Sequence, residues 1–110
     1  MSTKFQVLCA TMYQKDFAKF DEMKISSDVL YANQADGVWY RKIKKGEYEV
    51  EMITTQTRGL SKNRNILLTY ATADICLFSD DDVEYYPYYQ EKILKAFTDF
   101  PNADMIIFNM

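Results

Sequence analysis

The stretch Ile75-Cys76-Leu77-Phe78-Ser79-Asp80-Asp81-Asp82 decides how the chain is read. An apolar run followed by three carboxylates predicts a buried strand that delivers acidic groups to one edge of a sheet. Like charges this close repel, and a cation among them relieves the repulsion. Hard divalent cations such as Mg²⁺ or Mn²⁺ take oxygen ligands of this kind. A bare acidic triplet also occurs in solvated turns, so the segments around it must choose between the two readings.

Outward from the triplet, strand and helix patterns alternate. Phe5–Ala10 reads as a buried strand with one Gln. Over Asp16–Ile25, Phe17, Phe20 and Met23 recur at helical spacing. Asp28–Ala32 is a second strand, and Asn33–Gly37 a loop. Val38–Ile43 and Tyr48–Thr54 predict two strands joined at Lys44-Lys45-Gly46. Tyr48, Val50 and Met52 alternate there with Glu47, Glu49 and Glu51, which gives one wet face. Arg58-Gly59 marks a turn, and Ser61 is placed to cap a helix reaching about Thr72. Pro87 opens a helix through Phe97. Pro101-Asn102 ends it, and Met105–Phe108 is a last strand. The order predicts an α/β fold: an open, mostly parallel sheet flanked by helices, in a single domain over 1–110.

With 110 residues, 48% of them apolar, the chain can bury a real core. A net charge of −3 argues against general nucleic-acid binding. No apolar run is long enough to span a membrane. The start, Met1-Ser2-Thr3-Lys4, lacks the apolar core of a signal peptide. Cys9 and Cys76 lie in expected strands and read as reduced structural thiols. The expectation is a cytoplasmic protein, at most peripheral to the inner face of the membrane. There is no histidine, which removes His-based triads and HExxH zinc sites from this segment. The chain stops on the apolar run Met105–Met110, so it is expected to be the front part of a longer protein. An uncovered strand there would be sticky, so self-association into a homo-oligomer is also expected.

Ligands of open parallel sheets bind outside the carboxyl ends of the strands. Thr11 follows the first strand, Asn33 and Asp36 the second, Arg58 the strand ending near Thr54, and Asp80 and Asp82 the strand from Ile75. The segment Arg58-Gly59-Leu60-Ser61-Lys62-Asn63-Arg64-Asn65 adds cations at a helix N-terminus. That end of a helix already favours anions. Lys62 and Arg64 therefore imply either an anionic ligand or an internal carboxylate partner, Asp80 or Asp82. Taken together, these groups suit a metal-bound diphosphate. Asp81, as the middle residue of the triplet, is expected to turn away from Asp80 and Asp82. Tyr85-Tyr86-Pro87-Tyr88-Tyr89 reads as packing on the sheet, and Trp39-Tyr40 as a core or hairpin contact.

These two segments resemble a family 2 glycosyltransferase of the GT-A fold. Arg58–Asn65 is similar to the family's Arg-Gly-x-Ser-x-Ala-Arg-Asn helix start, and Ile75–Asp82 to its strand ending in Asp-x-Asp. The resemblance implies a nucleotide-sugar donor (a UDP-sugar foremost), Mn²⁺ or Mg²⁺, and transfer to an acceptor hydroxyl on a saccharide or lipid-linked acceptor. It makes Asp80 and Asp82 the metal carboxylates, with Asp82 the direct ligand and Asp80 near ribose or a metal-bound water. Thr11 falls at the loop bordering the nucleoside, and Asn33 or Asp36 near the base. Arg58, Lys62 and Arg64 fall near the base and phosphates.

Ala10 stands where the family has proline, Asn33-Gln34-Ala35-Asp36 where it has Asp-Asp-Gly-Ser, and Asn63 where it has alanine. Inverting members take their base from a later half, so no catalytic base is assigned here. Other readings are a nucleotide-sugar-binding or interaction module without activity, and a sugar nucleotidyltransferase. A phosphatase of the haloacid dehalogenase type would need Thr or Val at the position of Glu84.

Overall fold

Strand β1 (Phe5–Met12) is an interior strand of the sheet, and its side chains are mostly apolar and buried on both faces. The computed structural model describes residues 4–99. The order is β1, α1 (Ala18–Glu22), β2 (Asp28–Gln34), β3 (Trp39–Lys45), β4 (Tyr48–Thr55), α2 (Leu60–Tyr70), β5 (Ile75–Asp80) and α3 (Tyr89–Asp99). The sheet runs β3-β4-β2-β1-β5. All neighbours are parallel except the β3–β4 hairpin. The fold is therefore α/β with a mostly parallel sheet, Rossmann-like and consistent with GT-A.

Period-2 alternation divides the core between the two faces. On one, Phe5, Val7 and Cys9 pack with Val29, Tyr31, Val50 and Met52 beneath α1 and α3. On the other, Leu8, Leu30 and Ala32 meet Leu67 of α2. Gln6, on the α2 face, is buried and accepts the Thr72 N–H at 3.2 Å, which fixes the link between α2 and β5.

Several elements differ from the sequence-based expectation. The helix expected over Asp16–Ile25 shrinks to Ala18–Glu22, although Phe17, Phe20, Met23 and Ile25 are all buried. Lys24 takes φ 57°; its N–H bonds Asp21 and the Ile25 N–H bonds Phe20, closing the helix in a Schellman motif. Ser61 does not cap α2. Gly59 is the N-cap, at φ 108°, and donates its N–H to Gln34 Oε1 at 3.1 Å. Pro87 does not open α3; Tyr88 follows it at φ 64° and the helix begins at Tyr89. Cys76 is only half-buried, because β5 is a sheet edge among the described residues. Tyr85 and Tyr89 are core residues, whereas Tyr86 and Tyr88 face solvent. Trp39 packs against the core, with Arg41 stacked 4.8 Å from its ring centroid. The Pro101-Asn102 stop and the Met105–Phe108 strand lie outside the described residues.

Candidate functional site at the carboxyl edge

Four parallel strands end side by side at one edge. The register pairs Thr11 with Asn33 and Asn33 with Thr54, while Ala10 lies beside Asp80. Residues distant in sequence are thus brought together by strand order alone.

At this edge the alternation of β5 continues into the acidic triplet. Asp80 shares the α2 face with Phe78 and lines a cleft of about 120 Å³ with Ala10, Leu60, Arg64 and Leu67. Asp81 turns to the opposite face, where it accepts the Thr11 hydroxyl at 2.7 Å. Asp80 and Asp82 are exposed and Asp81 half-buried. The acidic turn is felt within the core. Burial first, then the charges of Asp81 and Asp80, push the Cys9 thiol up to about 12, with Lys19 opposing them.

The first turn of α2 holds Lys62, contains no acidic residue, and has no side-chain cap. Its N–H groups and dipole therefore suit an anion. Neither Lys62 nor Arg64 forms an ion pair among the described residues. Asn63 is buried and its Nδ2 donates to the Ala32 carbonyl at 3.4 Å, pinning the helix start to β2. Of the two readings of Arg64, the internal pair with Asp80 or Asp82 does not form; the guanidinium and the Asp80 carboxylate share a cleft instead.

The loop residues are placed differently from one another. Asn33 is fully buried and its amide is spent internally. Its Oδ1 accepts the Gln14 N–H at 3.0 Å; its Nδ2 donates to the Gln14 carbonyl at 2.8 Å and to Thr54 Oγ1 at 3.1 Å. Asp36 is exposed and pairs with Arg58 at 3.1 Å. The same guanidinium donates to the Ala35 and Gln56 carbonyls, so Arg58 clasps the β2–β3 loop. Sequence reasoning missed Gln34, whose side chain joins this loop to α2, and the Thr11–Asp81 contact. Nothing in a linear pattern marks either one.

The donor chemistry at the edge fits a small hard cation. Among the described residues no three His, Cys, Asp or Glu side chains are gathered to enclose a metal on their own. Mg²⁺-like ions need no such cage, since one or two carboxylates suffice when ligand phosphates and waters complete the shell. Asp80 and Asp82 supply exposed oxygen donors of that type.

An open, mostly parallel sheet with carboxylates and an uncapped helix start at its carboxyl edge belongs to the class of α/β folds whose ligands bind at that edge. The particular family follows from comparison with known proteins: the model of glycosyl transferase family 2 matches residues 36–109. That is more than half of the chain, and the chain belongs to this family. The match contains both Arg58–Asn65 and Ile75–Asp82. No curated protein and no solved structure matches the chain. No helix among the described residues is long and apolar enough to cross a membrane.

Proposed function

We propose that this chain is the donor-binding part of a metal-dependent glycosyltransferase. It takes a nucleotide-sugar, a UDP-sugar foremost, for transfer to a hydroxyl of a saccharide or lipid-linked acceptor. The observation that carries the reading is the cleft shared by Asp80 and Arg64, in which acid and base stay apart. A diphosphate with its cation would bring both charges their partners. Asp82 and Asp80 would hold Mn²⁺ or Mg²⁺, and the first turn of α2 with Lys62 and Arg64 would hold phosphate oxygens. When bound, the cation neutralises the charge growing on the nucleoside diphosphate as the sugar leaves. Asn33, Asp36 and Arg58 shape the nucleoside side of the edge, Asn33 through the loop it anchors. No base for the acceptor hydroxyl is assigned among residues 4–99.

Calorimetry of UDP and GDP with and without Mn²⁺ tests the reading, on wild type and Asp82→Ala. Metal-dependent binding lost in Asp82→Ala at an unchanged melting temperature is the expected outcome. Wild type that binds neither nucleotide with Mn²⁺ would overturn it. Donor binding with no product from any acceptor would instead favour a binding module.

A further inference from the structure

Three adjacent carboxylates leave open which of them serve a ligand and which serve the fold. Alternation sends Asp80 to the α2 face and Asp81 to the face of α1 and α3. Asp81 is met there by Thr11, a residue 70 positions earlier in the chain, through a 2.7 Å hydrogen bond. Thr11 is itself only 5% exposed, so its hydroxyl has little water to turn to. It is also fixed from behind: its neighbour in the register is Asn33, whose amide holds Gln14 in the loop that follows β1. Asp80 and Asp82, on either side of Asp81, have no side-chain hydrogen bond or ion pair among the described residues.

We infer that Thr11 and Asp81 are a positioning pair. Asp81 is the carboxylate that anchors the acidic turn to the end of β1, and Thr11 is its clasp. This leaves Asp80 and Asp82 as the two that address a cation. The inference rests on the donor-binding reading above and assigns Thr11 to the turn rather than to the nucleoside. The physical reason is entropic and steric. A turn of three mutually repelling carboxylates does not hold one geometry unless one member is tied, and a cation with strict octahedral demands needs its ligands held.

The pair makes a distinctive set of variants informative. Asp81→Asn keeps an oxygen acceptor for the Thr11 hydroxyl and removes the charge. Thr11→Val removes the donor and keeps the shape, and Thr11→Ser restores the donor. Mn²⁺ affinity in the presence of UDP, by calorimetry or by the electron paramagnetic resonance of free Mn²⁺, is measured beside the melting temperature of each. Thr11→Val is expected to lose roughly tenfold in Mn²⁺ affinity, the scale of lost outer-shell support. Thr11→Ser and Asp81→Asn are expected to stay within about twofold of wild type, a tolerance well below that outer-shell scale. If Asp81→Asn abolishes Mn²⁺ binding while Thr11→Val is unchanged, Asp81 is a metal ligand and the inference is wrong. A loss in Thr11→Val that follows only a collapse of its melting temperature would also overturn it. Wild type that binds no Mn²⁺–nucleotide removes the donor-binding reading itself, and this inference falls with it. Those results are distinct from each other.

Discussion

Arg64 and Asp80 line one narrow cleft between α2 and β5, yet no ion pair joins them. An exposed pair of this kind would contribute little to stability even if formed. The arrangement therefore costs the fold almost nothing to keep open, and it leaves a cation-seeking and an anion-seeking group side by side. Arg64→Ala is expected to leave the melting temperature within about 2 °C, because surface changes away from buried features stay within ~0.5 kcal/mol. Nucleotide diphosphate affinity should fall by about 1.5–3 kcal/mol, the scale of hydrogen bonds to charged groups. Thermal melts and calorimetry with UDP and Mn²⁺ separate the two effects.

Asn33 and Asp36 should part company under mutation. Asn33→Ala strands the half-buried Gln14 backbone groups and the fully buried Thr54 hydroxyl. A loss of about 2–4 kcal/mol is expected, from unpaired polar groups plus a small cavity. Asp36→Ala removes only an exposed ion pair and should shift stability by no more than ~0.5 kcal/mol. Urea titration measures both, and equal losses would contradict the geometry.

Lys24 closes α1 at φ 57°, the left-handed position where glycine is at ease. Lys24→Gly should stabilise the chain by up to about 1 kcal/mol through relief of that strain. The exposed Lys24–Glu84 contact at 3.4 Å offsets little of it. A rise in melting temperature is the expected reading, and a fall would show that the Schellman turn is not under strain.

Stability should decline on the alkaline side. Burial raises the Cys9 thiol from 9.0 to about 12, so the folded chain keeps a proton that the unfolded chain has lost. With fewer protons bound in the unfolded state, stability falls as pH rises from about 9 toward 12 and is fully present below that window. Burial also raises the hydroxyls of Tyr85, to about 12, and Tyr31, which act in the same direction from a higher onset. Cys9→Ala should flatten the start of this decline in denaturation series between pH 8 and 11. In the native chain Cys9 should resist thiol reagents at pH 8, while half-buried Cys76 reacts first.

Much of the fold was legible because its signals are local. The apolar run of β5 and the even spacing of Val50 and Met52 in β4 state their own periodicity, and Lys44-Lys45-Gly46 located the hairpin to within two residues, β3 running on through Lys45. Element ends were less legible. Gly59 displaced Ser61 as the cap because Gln34, 25 residues away, reaches its N–H. Lys24 ended α1 early because the Phe20–Ile25 contact suits a Schellman turn, and no residue type announces it.

The sequence by itself determined which chemistry is available at the edge: carboxylates after a buried strand, cations at a helix start, and no histidine. These depend on residue type and on spacing within a few positions. Only the tertiary structure decided what each group does with its neighbours. Strand order β3-β4-β2-β1-β5 sets Thr11 against Asp81, commits Arg58 to Asp36 and Asn33 to Gln14, and leaves Arg64 and Asp80 in one cleft without an ion pair among the described residues. A side chain's partner is fixed by which strands lie adjacent and which face each residue occupies. Adjacency across 70 residues is a property of the packed sheet and of no local pattern.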